Sequence, residues 1–197
     1  MSGITLQIYD SAGQRKYLTR DERTAFLAAA EQTSRDVRSL CMTLAYTGCR
    51  ISEALQLTAD RVDLSGKVIV FESLKKRRNG IYRAVPVPQE LLTTLELVHG
   101  LREAQRGRNG GRSVRLWPWA RVTAWRRVHE VMEKAGITGP QASPKGLRHG
   151  FGVAAVQAGI PLNMVQKWLG HAQLSTTAIY ADAVGAEEIS IAARMWN

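Results

Sequence analysis

Acid, cysteine and long apolar runs are all scarce in this chain of 197 residues. Asp and Glu total 17 against 27 Lys and Arg, a formal net charge of +10. Such an imbalance points to a polyanionic partner, because each phosphate neutralised by Lys or Arg releases condensed counterions. The plainer alternative is a basic, solvated surface. Two cysteines cannot build the disulfide framework of a small secreted domain, and Cys41 and Cys49 both fall in an apolar helical stretch, as reduced core residues of a cytosolic protein do. No apolar run approaches the ~18 residues of a membrane span, and the N-terminal residues lack the basic, apolar and small-residue succession of a signal peptide. A cytoplasmic chain without a membrane partner is therefore expected. Its four histidines, His99, His129, His149 and His171, are scattered and show no Cys/His spacing typical of zinc, so no metal or other cofactor is expected.

What is present is 45% apolar residues, enough for one substantial core or two small ones. Residues 1–17 read as a weakly ordered lead-in. Thr19-Arg20-Asp21-Glu22 has the form of a capping box and predicts a helix to about Glu31. Val37, Leu40, Cys41, Leu44 and Ala45 make a helical stripe over Arg35 to Tyr46, stopped at Thr47-Gly48, and a short helix follows over Ile51 to Gln56. Lys67 to Glu72 and Tyr82 to Val87 read as antiparallel strands, joined by a basic turn whose Asn79-Gly80 is a strong hairpin signal. Further helices are predicted over Gln89 to His99, Arg121 to Ala135 (Val122, Trp125, Val128, Val131 and Met132 on the apolar face), Lys145 to Ala158, Leu162 to Leu169, Thr176 to Ala183 and Ala186 to Met195. Gly100 to Arg115 reads as a basic, glycine-rich loop. The fold class is thus mainly α with a small antiparallel β-sheet, in one domain.

Several segments carry side chains suited to anions. Arg50 enters a helix just after a helix-ending glycine, where free N–H groups and a guanidinium can grip phosphate oxygens; alone, Arg50 and Glu53 would read as a surface pair at i, i+3. Lys145 and Arg148, also at i, i+3, put two cations on the first turns of a helix, an unfavourable place for them unless an anion binds. His171 follows Leu169-Gly170 at a bend, and Tyr180 lies nine residues further on; separately these would be a loop histidine and a half-buried helical tyrosine. A phenol with pKa near 10 attacks poorly until nearby cations stabilise its developing charge.

Together, Thr47-Gly48-Cys49-Arg50-Ile51-Ser52-Glu53-Ala54-Leu55, the strand ending Arg83-Ala84-Val85-Pro86, Gly146-Leu147-Arg148-His149, and Leu169-Gly170-His171 with Ser175-Thr176-Thr177 and Ile179-Tyr180 resemble the catalytic domain of tyrosine recombinases, the phage-integrase family. The resemblance runs from about Tyr17 to Trp196 and is closest in kind to small bacterial invertase-type recombinases. It implies Arg50 and Arg148 as catalytic arginines, Glu53 as the acid supporting the first, His171 at the family's histidine-or-tryptophan position, and Tyr180 as nucleophile. Lys75 matches the family's hairpin lysine, with Lys76 as the alternative, and Lys76, Arg77 and Arg78 become DNA-binding cations. Lys145 stands where the family usually has histidine; a lysine there can donate to phosphate, or exchange protons if neighbouring arginines lower its pKa.

The implied activity is site-specific recombination, whether integration, excision, inversion or resolution, through a 3′-phosphotyrosyl intermediate that needs no cofactor. The implied partners are double-stranded DNA, at the nucleoid, and further copies of the chain, from dimer to tetramer on DNA. A catalytically weak DNA-binding regulator, or a nicking-closing activity like that of type IB topoisomerases, are the alternatives on the same scaffold. Residues 18–184 form the expected catalytic domain, without an N-terminal core-binding domain. Residues 185–197 form a C-terminal helix that docks on its own core or is exchanged between protomers.

Overall fold

The computed structural model describes residues 8–73, 80–107 and 114–182, with residues 193, 195 and 196. The capping box at Thr19 forms as the sequence indicates: the Glu22 N–H donates to Thr19 Oγ1 (3.2 Å) and the Thr19 N–H to Glu22 Oε2 (2.9 Å). It opens helix α1 (Arg20–Glu31). Glu22 also receives the Arg15 guanidinium, which ties down the chain before α1. Residues 8–17 are not the weakly ordered lead-in expected, and residues 1–7 lie outside the described residues. Tyr9 and Arg15 form an antiparallel bridge, and Ile8 and Tyr17 are buried against Val153, Val165, Leu169 and Tyr180. Two isolated apolar residues give no periodicity to read, yet each fills a place in this second core.

Helix α2 (Arg35–Thr47) is buried on most of its circumference, the mark of a central element. It ends at Gly48, which adopts left-handed φ of 60° and caps Leu44. A Cβ at Gly48 would stand 2.6 Å from the Phe151 ring. Gly48→Ala therefore combines backbone strain with a clash, and should lower the unfolding free energy by about 1–3 kcal/mol in a urea titration. Helix α3 (Ile51–Ala54) follows at once, shorter than expected.

Strands β1 (Val62–Asp63), β2 (Val68–Glu72) and β3 (Tyr82–Pro86) make one antiparallel sheet in sequence order, with Ile69 opposite Val85 and Phe71 opposite Arg83. Two-residue β1 was too short to show alternation in the sequence. The hairpin tip, with Lys75, Lys76, Arg77 and Arg78, lies outside the described residues. Helix α4 (Gln89–His99) has the expected bounds. The stretch after it is not wholly loop: Leu101–Arg106 forms helix α5, with Leu101 fully buried and the Gln105 amide donating to the Ala59 and Val62 carbonyls. One apolar anchor is below what a periodic pattern can reveal.

Helix α6 (Arg121–Lys134) buries Ala124, Val128, Val131 and Met132. Val122 and Trp125, expected on that face, are 65% and 42% exposed; Ala124 takes the inward place, and Trp125 stacks on His129 at 4.8 Å. Helices α7 (Pro144–Gln157) and α8 (Leu162–Leu169) match expectation closely. The helix expected over Thr176 to Ala183 is instead helix α9 (Ser175–Ala178) running into a 3₁₀ turn, Ile179–Asp182. The helix expected over Ala186 to Met195 lies almost wholly outside the described residues, among which Met195 and Trp196 are exposed. Among the described residues no helix is long and apolar enough to cross a membrane.

Candidate active site

Glu53 organises one side of the site. It sits in α3 with 2% of its surface exposed, so its contact with Arg50 is not the surface pair that spacing alone suggests. One carboxylate oxygen accepts from the Arg50 guanidinium (2.8 Å), and the other from the Arg50 backbone N–H (2.9 Å) and from Arg83 Nη2 (2.6 Å). Burial alone would raise the Glu53 pKa; the hydrogen bond and charge of Arg83, then Arg50, outweigh it, and the carboxyl is held below its ordinary value. Arg83 spans from β3 to α8, donating also to the Trp168 carbonyl (2.7 Å) and the Ser73 hydroxyl (3.3 Å).

Arg148 organises the other side. Ser143 caps α7 by accepting from the Gly146 N–H at 3.1 Å, and Pro144 opens the helix, where its missing donor costs nothing. One turn in, Arg148 is buried and donates to the Gly48 carbonyl (2.8 Å) and the Leu169 carbonyl (2.7 Å). It thereby ties the ends of α2 and α8 together, and with them the segments leading to Arg50 and His171. Burial, then the nearby Arg50 charge, lowers its pKa to about 10, which leaves it cationic at neutral pH. A guanidinium has five N–H donors, so two bonds to carbonyls leave others for a ligand.

His171 is turned into the site by left-handed Gly170 (φ 67°). Its Nδ1 shares a hydrogen bond with the Thr177 hydroxyl at 2.9 Å, which leaves Nε2 for a ligand. Burial, then Arg148 and Arg50, pushes its pKa down to about 3, so the ring is neutral. Tyr180, 1% exposed, stacks against His171 with ring centroids 6.1 Å apart, and lies at 5.7 Å and 60° from the ring of His149. The seat is made by Gly152, where a Cβ would stand 2.5 Å from the Tyr180 ring. Burial raises the phenol pKa, and the charges of Arg148 and Arg50 counter this only in part. At rest Tyr180 is a neutral phenol.

Arg50, Lys145, Arg148, His149, His171 and Tyr180 line one cavity of about 410 Å³. Lys145 is at the exposed rim and Arg148 is buried. Two guanidinium groups, an ammonium, two neutral imidazoles and a phenol thus face one space, a set that can hold a phosphate and stabilise charge building up on it. Among the described residues no group of His, Cys, Asp and Glu side chains could hold a metal ion.

The sequence singled out five of those six residues together with Glu53; Lys75, Lys76, Arg77 and Arg78 lie outside the described residues. It missed the role of Arg83, although alternation along β3 places that arginine inward beside Val85, a signal that was there to be read. It also missed Arg121 and Trp125 in the cavity lining, and His149.

The phage integrase family model matches residues 16–185. The chain is 36% identical over 152 residues to the tyrosine recombinase XerD of Mycobacterium tuberculosis, covering 73% of this chain and 46% of that protein. It is 30% identical over 174 residues to the tyrosine recombinase XerA of Thermococcus kodakarensis, covering 84% and 57%. Among solved structures, a XerA recombinase superposes with a TM-score of 0.74 at 28% identity, over 91% of this chain and 64% of that one. The chain spans about half the length of the curated relatives it matches.

Proposed function

The chain belongs to the phage integrase family, and on that premise we propose that it cuts and rejoins double-stranded DNA at specific sites through a 3′-phosphotyrosyl intermediate on Tyr180. The observation that carries this reading is the convergence of Arg50, Arg148, His171 and Tyr180, from four separate segments, on one cavity. Arg50 and Arg148 hold the non-bridging oxygens of the scissile phosphate, and the neutral His171 donates through Nε2. Lys145 adds a donor from the rim. Tyr180 attacks phosphorus and the 5′ oxygen leaves, protonated by the hairpin lysine, Lys75 or Lys76. The energy of the broken bond is kept in the protein–DNA ester, so a second strand's 5′-hydroxyl can reseal it without metal, nucleotide or other cofactor.

DNA is the partner the charge favours: Lys76, Arg77 and Arg78 meet the backbone beside the cleaved strand, and affinity falls steeply with salt. The protein works at the nucleoid in the cytoplasm as a dimer to tetramer assembled on DNA. Residues 18–184 are the catalytic domain and residues 185–197 a segment passed to a neighbouring protomer.

The test is a duplex from DNA flanking the gene, nicked close to the cleavage point so that the short 5′-hydroxyl fragment diffuses away and the ester is trapped. Proteolysis and mass spectrometry should find a 3′-phosphate nucleotide on the peptide containing Tyr180. No covalent adduct on any flanking sequence, or an adduct on another residue, overturns the assignment.

A further inference from the structure

A buried polar atom without a partner loses its hydration and gains nothing in return, so each one calls for an explanation. Among the described residues the buried side-chain atoms in that condition are Nε of Arg23, Nε of Arg38 and both ring nitrogens of His149. Arg38 still pairs with Glu31 through Nη2 at 2.8 Å, and Arg23 lies over the Tyr46 ring. His149, 4% exposed, is the side chain left with no polar partner at either nitrogen. The group it touches is the Tyr180 ring, whose hydroxyl likewise makes no hydrogen bond among the described residues. Two unpaired polar side chains are thus in contact within the lining of one cavity. Gly152, one turn after His149 on the same face of α7, leaves the room in which the phenol ring lies against that face.

We propose that His149 is a further catalytic residue, whose imidazole accepts a hydrogen bond and then the proton of the Tyr180 hydroxyl as the phenol attacks. The inference rests on the cleavage chemistry proposed above and names its missing proton acceptor. The Oη–P bond forms as the P–O5′ bond breaks; the Oη proton passes to a ring nitrogen of His149, and the 5′ oxygen takes a proton from the hairpin lysine. Resealing reverses both transfers, with His149 returning the proton to Tyr180. The contact between the two rings, 5.7 Å between centroids, places both partners of that bond side by side in the lining of one cavity.

The other groups around the phenol are poorly placed for this task. His171 is stacked against Tyr180 at 23° and shares its Nδ1 with Thr177. Glu53 is committed to Arg50 and Arg83, and guanidinium groups do not accept protons. Burial, followed by the charges of Lys145, Arg148 and Lys16, lowers the His149 pKa to about 4, so the free protein presents a neutral ring with an open lone pair. A phosphate bound between Arg50 and Arg148 offsets those charges and makes the ring a better base when it is needed.

The experiment is single-turnover cleavage of the nicked duplex by wild type, His149→Phe and His149→Gln, with affinity for the intact duplex measured in parallel. Phenylalanine keeps the packing and removes both nitrogens; glutamine keeps a hydrogen-bond acceptor that takes no proton. Both variants should bind DNA like wild type and cleave roughly 10²-fold slower or worse, the usual effect of losing a general base. Wild-type cleavage rates in His149→Phe overturn the inference while leaving the Tyr180 chemistry intact. Should circular dichroism show that His149→Phe is unfolded, His149→Gln decides: a slow enzyme supports proton acceptance, and a wild-type rate overturns it. Absence of a Tyr180 adduct in the wild type overturns the function proposed above and this inference with it.

Discussion

Replacing Glu53 with alanine should lower the unfolding free energy by about 3–5 kcal/mol, the usual result of stripping one member from a buried ion pair. The effect arises on the partners rather than on Glu53 itself. The Arg83 side chain is only 5% exposed, and without the carboxylate it keeps the Trp168 carbonyl and the Ser73 hydroxyl but no counter-charge. Arg50 loses the bond that holds its guanidinium, so phosphate affinity and cleavage rate fall with stability. Glu53→Gln should lie between the two proteins, because its carbonyl oxygen can still accept from one arginine while the charge is gone.

The same carboxylate sets a pH dependence. Its folded pKa lies below the ordinary value of 4.5, so the stability it contributes is fully present above that value and is lost as pH falls through the folded pKa. Wild type should therefore destabilise in acid more steeply than Glu53→Gln. Urea titrations of the three proteins at neutral and acidic pH measure both effects. A loss of less than about 1 kcal/mol in Glu53→Ala would mean that Arg83 reaches solvent by a small movement, and that the Glu53 cluster does not hold the site together.

How far the site could be read from the chain depends on whether a residue's role is local. The capping box at Thr19, the stop at Gly48 and the bend at Gly170 are set by neighbours in sequence, and each forms where its pattern lies. The Arg50–Glu53 pair was also legible as a pair, but its burial was not, because burial comes from Arg83 thirty residues away and from the packing of α3 against α6 and β2. Trp125 shows the limit in the other direction. A large apolar residue at helical spacing reads as core, yet Ala124 takes the inward position and the indole is left at the cavity, stacked on His129. His149 stood in the Gly146-Leu147-Arg148-His149 motif, but nothing local gave it a role of its own; its interest lies in what it lacks in three dimensions.

Arg148→Ala is expected to cost roughly 10²–10³-fold in single-turnover cleavage, the loss typical of one donor to a developing oxyanion. The arginine is also structural. Its two bonds close the ends of α2 and α8, and alanine leaves the Gly48 and Leu169 carbonyls buried and short of a donor, for about 1–3 kcal/mol each. The two losses can be separated with Arg148→Lys. Lysine keeps the charge, but a single ammonium on a flexible stem cannot reproduce the guanidinium fork that reaches both carbonyls while facing the cavity. Arg148→Lys should therefore recover part of the stability lost in Arg148→Ala and little of the cleavage rate. The reverse outcome, a lysine variant that cleaves like wild type but melts like the alanine variant, would reduce Arg148 to a source of charge. The clamp on Gly48 and Leu169 would then be a feature of the fold, with no part in aligning Arg50 and His171 on the phosphate.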